Sequence, residues 1–431
     1  MPAVANDVTA SGVGPKPPAS QRIQLREKIA RYCSALVSLR RRCPPWLVRD
    51  VLVPLAVSRV AFVLVAWLGF HLVQMPVKNT KWEVASDGNV HNVGDHLATD
   101  VYPFVNMWAR WDSGWYLDIA KHGYNPISAE QPNVAFFPLY PYLLRVVHDV
   151  VPLRNDAGWF SIGIILSNVA LLVALIYFYR LITLDYDRRV AARAVLYLCV
   201  FPTTLFLSAV YSESLFLALV VSAFYYARSA RWFVAGALAA AGALCRPLGV
   251  LLIIPLAVEY LSQRDFQWRQ IRADCLALIL APLALAGHLI FLRWRFGGWD
   301  AISKAETMEG WNRRLTAPWN TLWYAIMHIN SSKGYHGAVE LFFAIVLLAL
   351  TIFACYRLRP SYAAYAAVSL LFITSWGTLI STPRFALVVF PAVMGLVLLG
   401  ENKAFHSVYL IFSSILACVS MVVFSQWGWV A

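Results

Sequence analysis

Residues 108–124 read WARWDSGWYLDIAKHGY and set Arg110, Asp112, Asp118, Lys121 and His122 among aromatic residues. Asp112 is suited to act as a general base, because a carboxylate can take a proton from a hydroxyl group as that oxygen attacks. Three further polar motifs interrupt apolar surroundings: Tyr211-Ser212-Glu213-Ser214, Cys245-Arg246-Pro247 and Ser381-Thr382-Pro383-Arg384. Arg246 and Arg384 each sit beside a proline at the end of an apolar run. Arginine at such a depth is costly and usually paired. Two on one face suit an anionic group such as phosphate, which a guanidinium binds with two parallel hydrogen bonds.

Each motif also has a plainer role. Asp112 suits the N-cap of a helix running through Ala120, with Gly123 as its C-terminal stop. Asp118 and His122 are four apart and would pair on one helix face. Tyr116 follows Asp112 by four and would line the same pocket. Trp111 and its aromatic neighbours fit an interfacial belt, and their faces also stack on sugar rings. Glu213 opens a helix whose dipole favours an acid, with Ser212 as its cap. Snorkelling explains a single arginine easily. His288, inside an apolar run, reads as an interhelical hydrogen-bonding residue. The FFPLYP segment at 136–141 reads as an interfacial turn, since Pro138 and Pro141 oppose a regular helix.

The elements that must position these residues are apolar helices. Hydrophobic residues make up 60% of the 431 and charged residues 14%, and the mean hydropathy is +0.60. Apolar runs near 20 residues recur, each long enough to cross a bilayer core of about 30 Å. The expected fold is an all-α polytopic membrane protein of about 11 transmembrane helices, near 51–74, 158–180, 190–210, 213–228, 232–246, 247–261, 273–293, 338–356, 361–380, 384–399 and 406–427. The pair 232–246 and 247–261 reads equally as one bent hairpin. Residues 1–50 form a basic cytoplasmic tail, disordered over 1–20, with an amphipathic helix at 21–42 lying on anionic lipid. Residues 51–431 form one transmembrane domain. With no cleavable signal peptide, the first run stays as the first span.

Basic residues fall on alternate loops: Arg188, Arg189 and Arg193; Arg228 and Arg231; Arg264, Arg269 and Arg272; Arg357 and Arg359. This fits a cytoplasmic face for those loops. All four polar motifs then share the outer face. The first outer loop, 75–157, is acidic up to residue 135, with Glu83, Asp87, Asp95, Asp100, Asp112, Asp118 and Glu130 against Lys78, Lys81, Arg110 and Lys121. The second, 294–337, instead holds Arg295, Lys304, Arg313, Arg314 and Lys333. An anionic ligand outside would explain that charge, as would a long loop that translocates regardless of charge. The net charge of +13 belongs to topology signals rather than nucleic-acid binding. The seven cysteines are scattered, without zinc-binding spacing, and read as small apolar residues. No phosphate-binding glycine loop is present, so the activated donor of any group transfer is expected to be lipid-linked.

Arg110-Trp111-Asp112 through Ile119-Ala120 and Gly123-Tyr124, then Phe136-Phe137-Pro138 and Pro141, resembles the GPI mannosyltransferase II (PIG-V) family, whose pattern is RWDAxxFxxIAxxGY followed by AFFPxxP. YSESLF at 211–216 is similar to that family's second signature. ALCRPLG at 243–249 and STPRFALVVFP at 381–391 resemble its later segments more weakly. The resemblance runs from about residue 50 to 400. Ser113, Tyr116 and Pro247-Leu248 depart from the family's Ala, Phe and Ser-Asn, which puts acceptor choice in doubt.

The resemblance implies a GT-C glycosyltransferase-like fold with a large first extracytoplasmic loop. It implies inverting transfer of mannose from a polyprenyl-phosphate-mannose donor, with Asp112 as the catalytic carboxylate. Arg110, Trp111, Tyr116, Glu213, Arg246 and Arg384 are the expected substrate-binding residues. The lipid-linked donor is a substrate, so no cofactor and no metal is expected. Length and Ala/Arg usage suggest a bacterial plasma-membrane member. Its acceptor would be a phosphatidylinositol mannoside, a lipoglycan, a wall polymer or a protein hydroxyl. Another polyprenyl-phosphate sugar, a transporter and a non-catalytic lipid-binding subunit are the competing readings.

Overall fold

The computed structural model describes residues 44–72, 103–125, 133–151, 153, 156–307, 313–329, 337–426 and 428–430. The expected disordered tail, the amphipathic helix at 21–42, Glu83, Asp87, Asp95, Asp100, Glu130 and Lys333 lie outside the described residues. The chain divides into Met1–Arg49 and Asp50–Ala431. The elements that carry the site all belong to the second unit.

Helix α1 is Val53–Leu72. The segment after it carries α2, Ser113–His122, and α3, Leu139–Val150. The bundle continues with α4 at Asp156–Ile182, α5 at Arg188–Cys199, α6 at Glu213–Arg228 and α7 at Trp232–Cys245. A 3-10 turn at Pro247–Leu252 leads into α8, Ile253–Ser262. A second, Ala273–Ile279, leads into α9, Leu280–Phe296. Short helices α10, Ala301–Glu306, and α11, Pro318–Met327, follow. The chain ends with α12 at Ala338–Arg357, α13 at Pro360–Thr374, α14 at Thr382–Ala386, α15 at Phe390–Leu399 and α16 at Lys403–Ser425.

The described residues contain helices and turns, without strands, as the apolar runs lead one to expect. Among the described residues, five helices are long and apolar enough to cross a membrane: Leu47–Gly69, Ala157–Ile182, Ala273–Phe296, Ala338–Arg357 and Lys403–Ser425. The other expected spans are shorter helices or are broken, and the breaks have identifiable causes. The run 190–210 stops at Cys199, just before Phe201-Pro202. The freed backbone is met by Arg59 of α1. Its guanidinium donates to the carbonyls of Cys199 (2.9 Å) and Thr204 (3.2 Å), to Thr204 Oγ1 (3.0 Å) and to Ser208 Oγ (2.9 Å). Backbone groups at such depth must find partners within the protein. Arg59 thereby holds the non-helical stretch that leads to Tyr211 and Glu213.

Residues 232–261 fold as two elements packed back to back, turning at Arg246-Pro247. The turn is tight because two glycines face each other: a side chain at Gly249 would strike the Gly242 carbonyl group at 2.1 Å.

At the end opposite the polar motifs, Arg228 pairs with Asp185 (2.9 Å from Nη2) and Glu259 (3.4 Å). Arg359 also reaches Glu259 (3.3 Å), and Ser361 and Gln263 donate to the same buried carboxylate. These arginines, read from sequence as topology signals, therefore also tie α6, α8 and α13 together. α6 opens at Glu213, and α8 follows Arg246 through the 3-10 turn, so the clamp fixes the helices that position the site.

Candidate active site

The chain enters α2 through Trp111, a non-glycine residue in the left-handed region at φ +54°. Such a conformation costs on the order of 1–3 kcal/mol and persists only where the surroundings impose it. Asp112 follows at the N-cap position, but its side chain makes no capping hydrogen bond. It points away from the helix, and Arg384 Nη1 donates to its Oδ2 at 2.6 Å. Ser381, on the approach to Arg384, is also left-handed at φ +66°. Backbone strain thus lies on both sides of a pair separated by 272 positions.

Glu213 joins the pair into a chain. Its Oε1 lies 3.1 Å from Arg384 Nε and 2.5 Å from Arg246 Nη1. Glu213 is fully buried and Arg384 nearly so. Ser212 does not cap α6. Its hydroxyl instead meets Tyr116 OH at 2.8 Å and Arg246 Nη1 at 3.4 Å. Tyr211 OH donates to the Arg110 carbonyl and accepts from the Asp112 N–H, both at 3.1 Å. All four polar motifs therefore meet at one end of the bundle.

Two guanidiniums and two carboxylates leave this chain of groups with no net charge. Arg384 thus sits buried between Asp112 and Glu213. Arg246 meets the same Glu213 carboxylate. Burial and the neighbouring acids push the Tyr116 and Tyr211 phenols up, so both remain hydrogen-bonding alcohols. Rings of Phe206, Tyr211, Phe385 and Trp429 surround the Arg384 guanidinium at 5.3–6.0 Å. The arrangement offers a carboxylate next to two cations that share a third group, Glu213, as their common anchor. Among the described residues, no group of three or more His, Cys, Asp or Glu side chains is set to hold a metal.

Other expected site residues take different places. Arg110 is buried, and its Nε and Nη2 donate to the Ser425 carbonyl at the end of α16 (3.1 and 2.9 Å). It ties the Asp112 segment to the last helix. Trp111 packs edge-on against Trp429. Tyr116 is buried against Phe136, Tyr140 and Tyr211, and only its hydroxyl reaches the polar chain.

Asp118 does more than pair with His122 (3.0 Å). Its other oxygen accepts from the amides of Asn125 (3.0 Å) and Asn133 (2.6 Å) and so closes the loop after α2. Gly123, at φ +84°, ends α2 as expected, its N–H returning to the Ile119 carbonyl. FFPLYP is not a plain turn. α3 begins at Leu139 with Pro141 in its first turn, where a missing N–H costs no helical hydrogen bond. His288 is buried against Tyr124, Phe137 and Phe291. Its Nε2 has no hydrogen-bond partner among the described residues.

An all-helical membrane protein with a neutralised Asp–Arg–Glu–Arg chain at one end invites comparison with known proteins. The profile of the mannosyltransferase (PIG-V) family matches residues 55–275, and this chain belongs to that family. Similar proteins include the GPI alpha-1,6-mannosyltransferase 2 of Rattus norvegicus, 33% identical over 153 residues, which are 34% of this chain and 30% of the rat protein. The GPI mannosyltransferase 2 of Drosophila pseudoobscura pseudoobscura is 28% identical over 154 residues, 33% of each chain. The match thus spans about a third of the length of these relatives. Among solved structures, ArnT from Cupriavidus metallidurans, bound to undecaprenyl phosphate, is similar with a TM-score of 0.49 and 15% identity. That match covers 77% of this chain and 64% of ArnT. The Archaeoglobus fulgidus oligosaccharyltransferase AglB, in complex with an inhibitory peptide and a dolichol-phosphate, gives 0.39 and 13%, over 72% and 51%.

Proposed function

We propose that this protein is an inverting membrane glycosyltransferase that moves mannose from a polyprenyl-phosphate-mannose to a hydroxyl of a lipid-linked glycan or other extracytoplasmic acceptor. The observation that carries the reading is the Asp112–Arg384–Glu213–Arg246 chain, whose Asp112 lies in the family's RWD motif. A base and two guanidiniums in contact are what attack on a sugar phosphate requires.

In the resting site Asp112 and Arg384 occupy each other. The donor's phosphodiester, with one negative charge, competes with Asp112 for Arg384, while Glu213 keeps both guanidiniums in place. The displaced Asp112 then faces the acceptor hydroxyl. It takes the hydroxyl proton as the oxygen forms its bond to C1 of the sugar. The C1–O bond to phosphate breaks on the opposite face, and its electron pair leaves with the polyprenyl phosphate. Asp112 loses its charge as the leaving phosphate gains one, so Arg384 turns from Asp112 to the phosphate while Glu213 still anchors both arginines. A β-linked donor gives an α-linked product. No activated water is needed, and aromatic rings around Arg384 keep the reacting centre dry, which strengthens each electrostatic contact.

The test is turnover by the protein in membranes of its source cell, which carry the acceptor, supplied in turn with polyprenyl-phosphate mannose, glucose, galactose and arabinose. Consumption of the mannose carrier alone is expected. Consumption of a different carrier moves the reading to that sugar, and consumption of none overturns it.

The extracytoplasmic position of the site has its own check. Cysteines introduced at exposed Lys304, Arg189 and Arg269 in a cysteine-free background should differ in their reaction with an impermeant reagent added outside. Lys304→Cys should label, and Arg189→Cys and Arg269→Cys should not. The reverse pattern would place the site in the cytoplasm.

A further inference from the structure

Arg313, one of the basic residues of segment 294–337, finds a place beside the site. Arg313 lies with its guanidinium carbon 5.4 Å from the ring centre of Phe385. The same ring carries Arg246 and Arg384, each at 5.3 Å. Three guanidiniums therefore converge on one half-buried phenylalanine. Arg313 is held there by its backbone surroundings. Its N–H donates to the Glu306 carbonyl (2.8 Å), the Arg314 N–H to the Trp376 carbonyl (3.1 Å) and the Thr316 N–H to the Ser375 carbonyl (2.9 Å). Gly377, at φ +69°, lets this segment approach, since a side chain there would come within 3.1 Å of the Arg314 carbonyl.

The three cations differ in access. The Arg384 side chain is 7% exposed, that of Arg246 11% and that of Arg313 16%. Among the described residues Arg313 has one carboxylate partner, Glu306, at 3.2 Å. It shares neither Asp112 nor Glu213 with the other two. It stands at the rim of the same cationic surface, countered by an acid that a stronger anion can displace. Like charges crowd around one ring at low cost only while anions balance them.

We infer that Arg313 is a further phosphate-contacting residue of this site, exchanging Glu306 for a phosphate ester of a lipid-linked substrate. The inference rests on the reading that the site handles a lipid phosphate. The phosphate belongs either to the donor or to an anionic acceptor lipid, and two probes separate these sources. Binding of a polyprenyl phosphate and of phosphatidylinositol, each in detergent micelles, is measured on the full-length protein and on Arg313→Gln and Glu306→Gln.

Arg313→Gln should weaken one probe about tenfold, the loss of one charge-assisted contact. Glu306→Gln should tighten the same probe, because it frees the guanidinium. A merely structural ion pair would move both variants in one direction, together with their melting temperatures, and that result overturns the inference. So does unchanged binding of both probes in Arg313→Gln, even in a protein that consumes polyprenyl-phosphate mannose. Opposite shifts in a protein that consumes no lipid-linked sugar would uphold the phosphate contact and defeat the functional reading alone.

Discussion

Arg384→Ala is expected to be the most damaging single substitution for stability and for donor binding together. The guanidinium meets Asp112 at 2.6 Å and Glu213 at 3.1 Å inside a ring of aromatic side chains. Its loss leaves Glu213 buried with Arg246 as its remaining cation and removes the cation that holds Asp112. Breaking a buried pair from one side costs about 3–5 kcal/mol, because the surviving charge is left without its counterpart. The melting temperature in detergent should fall clearly below that of the unaltered protein, and affinity for a polyprenyl phosphate should fall with it. Arg384→Lys separates the two effects. An ammonium restores a positive charge and part of the stability, but it lacks the planar fork that grips phosphate with two bonds. Its melting temperature should recover more fully than its phosphate affinity. Unchanged phosphate affinity in both variants would remove Arg384 from the donor site.

Much of this arrangement was legible in the sequence because the signals were local. Apolar runs located the helices, and arginines beside prolines marked sites where charge at depth needed a partner. The polar motifs were expected to share one face, and they meet at one end of the bundle. What could not be read was which side chains meet. Asp112 has the type and position of a helix cap, and only the left-handed Trp111 and a partner 272 positions away turn it into an ion-pair acid. Arg110, two residues before the motif's aspartate, is held by the Ser425 carbonyl at the far end of the chain.

Asp185 and Glu259 were missed as partners of Arg228 and Arg359, because an arginine at a helix end satisfies the topology rule with or without an acid nearby. Arg59 carried a usable signal, an arginine within an apolar run. Its partners are backbone carbonyls exposed by a helix break, which hydropathy does not reveal.

Asp112→Asn carries the largest expected effect on rate. Asparagine has the shape of aspartate and can still accept a hydrogen bond from Arg384, so the fold should survive. It cannot take the acceptor's proton, and loss of a general base typically lowers turnover about 10²- to 10⁴-fold. Removing one carboxylate from a neutral chain of two acids and two arginines also frees Arg384 for an anion. Polyprenyl-phosphate binding should therefore stay equal or tighten while turnover collapses.

Asp118→Asn is the matched control. It keeps one acceptor oxygen and so gives up either the acceptor shared by Asn125 and Asn133 or the contact with His122, which lowers stability by about 1–3 kcal/mol. Its turnover should stay within a few-fold of the unaltered protein. The most direct measurement is thus made on Asp112→Asn alone: single-turnover consumption of polyprenyl-phosphate mannose in acceptor-bearing membranes, alongside binding of polyprenyl phosphate to the same preparation. Turnover reduced at least a hundredfold with undiminished phosphate binding is the predicted result, whereas near-normal turnover in a well-folded protein would show that Asp112 only neutralises Arg384 and is not the base.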